Sequence, residues 1–263
     1  MDKSNYFIYI AVFIIIVLIY IFSKKKGHCK IFQINDNYKI IKRTKDIIII
    51  DNFYKYPNKI SSYAFKNKDK FVIHDSIYKN KVFNPKLHYD NSTEFINFFE
   101  NILGKPISKK AWNWSADNGS NGWLQYNTNN IKPIIHSDNS ILEGPGPKTN
   151  WGVVVYLKKN PNINSGTGFY KHIATNFKKI PEKDYFDNLK SKTKILMKSY
   201  LESDDKENST SKKFKKYYEC YNVYNRILIF NASLFHCGLN SYGNDITNSR
   251  FFQTFFIKTQ LGG

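Results

Sequence analysis

From Trp123 onward the chain breaks into short runs of β-branched and aromatic residues, each fenced by Gly, Asn or Pro: WLQYN, KPIIHSD, WGVVVYL, GTGFYKH, RILIFN and RFFQTFFI. Runs this short at such spacing fit facing sheets, so the predicted fold is mainly β, a sandwich or jelly roll with flanking helices. Upstream, IIIIDNFYKYP at 47–57 reads as a buried strand running into a turn or helix start, with Pro57 breaking the pattern. STEFINFFENIL at 92–103 places Phe95, Ile96, Phe98, Phe99, Ile102 and Leu103 at helical spacing, with Ser92 or Thr93 as the cap. No internal repeat is visible.

The N-terminal segment is of another kind. Tyr6 to Phe22 is a run of 17 apolar or aromatic residues without a charge, at the short end of the roughly 17–25 residues that span a bilayer. Lys24, Lys25 and Lys26 follow, and no small-residue cleavage site does, so residues 1–26 are expected to form a retained single-pass membrane anchor with a basic flank. Asp2 and Lys3 cancel on the other side, which puts the following domain in the cytoplasm. The sequons at Asn91, Asn113, Asn118, Asn208 and Asn231 are expected by chance in a chain this rich in Asn. Residues 27–45 read as a basic connector and 46–263 as one domain, interrupted at about 176–219 by a Lys- and Ser-rich insertion, a surface excursion or a lid.

Composition narrows the function classes. At 41% hydrophobic residues the chain has enough apolar surface for a core without disulfides. Its three cysteines, Cys29, Cys220 and Cys237, have no CxxC spacing, which argues against a disulfide scaffold and favours a reducing compartment. The formal charge of +19 comes from scattered lysines with no nucleic-acid motif, so a nucleic-acid partner is not supported.

The chemistry lies in a combination. His136-Ser137-Asp138 is an HxD triplet at the end of a predicted strand, and residues i and i+2 of an extended chain project to one face. An imidazole and a carboxylate there can meet one metal ion. His236 follows 100 residues later, just after RILIFN, where a barrel can return it to the same point. Two histidines and one carboxylate on one face of iron(II) leave three positions open, as a bidentate oxo-acid and O2 require. Arg250 opens RFFQTFFI 14 residues further on, and a guanidinium beside the metal suits the distal carboxylate of a dicarboxylic acid.

The order HSD, WGVVVYL, SGTGFYKH, NRILIFNASLFHCG, SRFFQTFFI resembles the 2-oxoglutarate/iron(II) oxygenase superfamily, and more closely a prolyl-hydroxylase-like branch containing a G-T-x-F-Y-[RK]-H element. IIIIDNFYKYP resembles that branch's opening, and the likeness covers roughly residues 46–258 without the insertion. The resemblance implies a double-stranded β-helix, with His136, Asp138 and His236 as iron ligands, Arg250 on the 2-oxoglutarate carboxylate and Tyr126 as a hydrogen-bond donor to that cosubstrate. Fe(II), 2-oxoglutarate and O2 are then the implied cofactors, with ascorbate as an accompanying reductant. Arg250 departs from the Lys often found there in prolyl hydroxylases proper. His172 either faces the substrate or is a satisfied strand histidine, and Arg226 either serves the site or pairs with a nearby carboxylate. The substrate is not identified by the sequence; a prolyl or other protein or peptide side chain is the reading by analogy. Two other readings remain: a jelly-roll binding module without catalysis, and a membrane-tethered basic protein acting on acidic partners. The second leaves the order HxD, His236, Arg250 unexplained.

Overall fold

The computed structural model describes residues 12–17, 30–73, 81–85, 92–118, 121–131, 134–138, 149–181 and 212–260. Two antiparallel sheets face one another. The larger holds eight strands in the order β1-β2-β9-β6-β11-β5-β4-β3: β1 is Lys39–Arg43, β2 Ile47–Asp51, β3 Val72–Ile73, β4 Lys81–Phe83, β5 Trp123–Asn127, β6 Trp151–Tyr156, β9 Arg226–Asn231 and β11 Arg250–Ile257. The smaller has the order β10-β7-β8, with β7 at Thr167–His172, β8 at Phe214–Cys220 and β10 at His236–Gly238. The architecture is mainly β and jelly-roll-like, as the sequence pattern predicts.

Alternation explains the layers. The Ile47–Ile50 run is buried throughout because β2 is covered on both faces. Ile48 and Ile50 join Ile227, Ile229, Val153, Val155, Phe251 and Phe255 in the core behind the large sheet, where helices α1 (Pro57–Lys66), α2 (Ser92–Leu103) and α3 (Lys109–Asn118) contribute Ile60, Phe95, Phe99 and Trp112. Ile47, Ile49, Leu228, Phe230 and Tyr156 point the other way and meet Phe169 and Leu234 between the sheets. A third cluster, Ile135, Ile180, Phe214, Phe235, Cys237 and Leu239, covers the far side of the small sheet.

Several expectations change. KIIKR, read as part of a connector, is strand β1, and FKKYYEC at the end of the expected insertion is strand β8. Residues 182–211 of that insertion lie outside the described residues. The described part of KPIIHSD, residues 134–138, is not a strand: His136 joins the small sheet through a single bridge to His236. The expected anchor at 6–22 lies outside the described residues except for 12–17, which are helical with exposed side chains. Among the described residues no helix is long and apolar enough to cross a membrane.

Candidate metal centre

His236 opens β10 with its ring turned between the sheets, while its neighbour Cys237 faces the third cluster. The ring is buried, with centroids 4.4 Å from Phe230 and 6.3 Å from Phe169. His136 faces it across the bridge, the ring centroids 4.4 Å apart. The loop after β9 fixes the carboxylate: Ala232 O accepts from Asp138 N at 3.0 Å and from Ser137 Oγ at 2.9 Å. Asn231 holds that loop, accepting from Ser233 N at 3.0 Å and donating to Asp46 Oδ1 at 3.0 Å.

His136 Nε2 and His236 Nε2 then lie 3.6 and 3.7 Å from Asp138 Oδ1, and one ligand atom from each residue falls within 4.8 Å of the others. These gaps are too long for good hydrogen bonds and suit three donors around one cation. Each Nδ1 is 2.9 Å from a backbone carbonyl, Ile134 O for His136 and Leu234 O for His236. A carbonyl only accepts, so each Nδ1 carries the proton and each Nε2 of the neutral ring presents its lone pair to the centre. Burial pushes the His236 pKa down to about 4, Asp138 opposes that and His136 reinforces it, so this ring is neutral near pH 7. Burial pushes the Asp138 carboxyl up, but His236 and His136 together outweigh it and hold the group below the usual carboxylate range. Gly152 on β6 makes room: a Cβ there would stand 2.5 Å from Asp138 Oδ2 and 2.6 Å from Phe230 Cζ.

Arg250 opens β11 on the face that Phe252, Tyr156 and Arg226 share by register. The residue is 3% exposed, and its guanidinium donates from Nε to Ser165 O at 2.6 Å and from Nη2 to Gly166 O at 3.3 Å and stacks 4.3 Å from the Phe252 ring. Burial pushes its pKa down, and among the described residues no carboxylate pairs with it. A Cβ at Gly238 would lie 3.2 Å from Arg250 Nη1. Gly238 is two residues from His236 on the same strand face, about 7 Å along it, roughly the span of a five-carbon dicarboxylate. Two neighbours of Arg250 went unread in the sequence. Tyr156 lies with its ring centroid 5.7 Å from the guanidinium carbon and its hydroxyl 2.8 Å from Thr167 Oγ1. Asn127 is Arg250's register partner, with a buried Oδ1 that has no hydrogen-bond partner among the described residues.

The structure places three further sequence candidates away from the centre. Tyr126 pairs with Phe251 and so faces the core behind the sheet, 5.4 Å from the Phe71 ring; alternation gives the face beside Arg250 to Asn127. His172 is buried on the far side of the small sheet, its ring 5.3 Å from Phe214 and its Nδ1 2.9 Å from Thr175 Oγ1, which fits the satisfied strand histidine. Arg226 forks onto Asp51, Nε to Oδ1 at 2.6 Å and Nη2 to Oδ2 at 2.9 Å, which is the pairing alternative.

The chain belongs to a family of unknown function, DUF6445, whose sequence model matches residues 33–250. Comparison with curated proteins finds no match. Among solved structures it is similar to HygX from Streptomyces hygroscopicus with nickel, 2-oxoglutarate and hygromycin B bound, at 10% identity over 82% of this chain and 84% of that one, TM-score 0.45. It is also similar to the iron-bound form of HygX, at 9% identity over 82% and 83% of the two chains, TM-score 0.44. A third is a prolyl hydroxylase from Trichoplax adhaerens in complex with a hypoxia inducible factor oxygen degradation domain peptide, at 14% identity over 82% and 84%, TM-score 0.40.

Proposed function

We propose that this chain is an Fe(II)- and 2-oxoglutarate-dependent dioxygenase of double-stranded β-helix fold, in the prolyl-hydroxylase-like branch, hydroxylating a protein side chain. The carrying observation is the pairing of two features that face one another's side of the space between the sheets. Two imidazoles and a carboxylate converge at His136, His236 and Asp138, and among the described residues no carboxylate pairs with the buried guanidinium of Arg250. An iron(II) ion held by the triad, with 2-oxoglutarate and O2, would supply the oxidation: one oxygen atom enters a substrate C–H bond as hydroxyl, the other enters succinate, and CO2 leaves. The chain's own part is orientation and exclusion of water. Ile134 O and Leu234 O set both imidazole tautomers, and Ala232 O fixes Asp138. Arg250 would fork onto the distal carboxylate, with Tyr156 and Asn127 beside it and Phe230 and Phe169 keeping the His236 side dry.

The segment 1–26 would tether this domain to a membrane with residues 46–263 on the cytoplasmic side. The test is anaerobic titration of the protein with Fe(II) and then 2-oxoglutarate, followed by succinate measurement in air with ascorbate and a peptide panel. A charge-transfer band appearing only with both additions, and succinate formed only with iron, is the expected result. Metal binding that 2-oxoglutarate leaves spectrally unchanged, with no succinate, overturns the proposal.

A further inference from the structure

Strands β1 and β8, at the ends of the two sheets, both contribute to a groove of about 860 Å³. Its lining comes from segments 42–47, 176–181 and 217–218, together with Leu234. These segments are held by hydrogen bonds. Thr44 Oγ1 accepts from Ile47 N and donates to Ile47 O, both at 3.0 Å, which closes the turn between β1 and β2. Phe235 N donates to Lys178 O at 3.0 Å and Ile180 N to Ser233 O at 2.9 Å, which pins the second segment alongside Leu234. A preformed concavity of this volume is in the range of small-molecule pockets.

Two features of the lining select its ligand. Ile47 and Leu234 are almost fully buried and belong to the cluster between the sheets, so the groove has an apolar floor. Its other feature is cationic: Lys42, Lys178 and Lys179 stand against one carboxylate, Asp46, which already accepts from Asn231 Nδ2. Among the described residues no ion pair engages any of the three lysines. The lining tyrosines place two of the ammoniums, Lys42 Nζ at 3.7 Å from the Tyr218 centroid and Lys178 Nζ at 4.7 Å from that of Tyr217. A purely polar anion gains nothing from the floor, and a neutral apolar molecule gains nothing from the lysines.

We propose that this groove binds a small anionic amphiphile, one anionic head group on a hydrocarbon body. The body is removed from water against Ile47 and Leu234, and the head meets the lysine ammoniums. The inference requires no metal and stands apart from the oxygenase reading.

The test is photocrosslinking of the full-length, metal-free chain, held in phosphatidylcholine nanodiscs, with a diazirine-bearing dodecanoate. Mass spectrometry maps the adducts, which are expected within 42–47, 176–181 and 217–218. Unlabelled dodecanoate should suppress them. Acetate, which lacks the body, and dodecyltrimethylammonium, which reverses the head charge, should not. Lys178→Glu, Lys179→Glu, a pair of exposed lining residues, should lower the affinity for the probe about tenfold, read from adduct yield against probe concentration. Lys105→Glu, Lys159→Glu, which makes the same change in net charge on exposed residues outside the lining, should leave it unchanged. Adducts confined to the apolar run at 6–22 or to β11 around Arg250, equal suppression by the cationic amphiphile, or equal loss in both double variants overturns the proposal. Stronger suppression by an alternating Glu-Ile octapeptide, or by phosphatidylserine built into the nanodisc, than by dodecanoate also overturns it, and assigns the groove to a polypeptide or to the bilayer.

Discussion

His136 and His236 are bound as mirror images. Each donates its backbone N–H to the other's carbonyl, at 2.9 and 2.8 Å, and each sets its ring Nδ1 2.9 Å from the carbonyl two residues before it. The backbone that joins the two chain segments thus also fixes both tautomers, and the two Nε2 atoms are presented to Asp138 together. Replacing either histidine with Ala should abolish Fe(II) binding measured by anaerobic titration while far-UV circular dichroism stays near that of the parent. Tight iron binding by either variant would remove that histidine from the ligand set.

The burial of His236 has a stability consequence in the metal-free protein. Its folded pKa is pushed down to about 4 from an ordinary value of 6.5, so between those values the unfolded chain binds the extra proton. Stability is unaffected above pH 6.5 and falls as the pH drops toward about 4, with a slope of at most about 1.4 kcal/mol per pH unit. Urea melts of the metal-free protein across this window should show the fall, and His236→Gln should flatten it. An equal slope in the variant would place the titrating group elsewhere.

Gly152 predicts a separable defect. A Cβ there meets both Asp138 Oδ2 and the Phe230 ring, and overpacking of this kind costs about 1–3 kcal/mol. Gly152→Ala should lower thermal stability and weaken iron binding. Adding Phe230→Leu relieves the ring contact but not the carboxylate contact, so stability should partly return while metal affinity stays low. Joint recovery of both would show that Gly152 acts on packing alone.

These relationships were unequally legible in the sequence. HxD spacing and a histidine following a strand are local features, so the residues that meet at the centre were readable before the fold was known. Which of Tyr126 and Asn127 stands beside Arg250 depends on a one-residue parity set by pairing with β11, and no local pattern carries that. Tyr156 was hidden for the same reason inside WGVVVYL. The strands β1 and β8 were missed because both lie at sheet edges and carry lysines where a central strand alternates apolar and polar residues. The basic runs KIIKR and FKKYY read as connector and insertion, and they form end strands of the two sheets.

Arg250 should act on the cosubstrate and not on the metal. Arg250→Lys keeps a charge but loses the fork, and a charge-assisted bond of this kind is worth about 1.5–3 kcal/mol, so the KM for 2-oxoglutarate should rise about tenfold to a hundredfold. Iron affinity measured without 2-oxoglutarate should be unchanged. If iron affinity falls instead, the residue supports the fold of the site through Ser165 O and Gly166 O rather than through a ligand.

Arg226 supplies the contrasting case, since it lies on the same inward face as Arg250 but already has its carboxylate in Asp51. The pair is partly buried, at 14% and 25% side-chain exposure, and ties β9 to the end of β2. Removing one member strands the other, so Arg226→Met should cost about 2 kcal/mol in urea unfolding. Asp51→Asn, Arg226→Met should cost less than the sum of the two single changes, because each single change already breaks the same fork. The KM for 2-oxoglutarate should remain that of the parent in all three variants. A raised KM with unchanged stability would return Arg226 to the site. The two arginines therefore separate by readout, one through cosubstrate affinity and the other through unfolding.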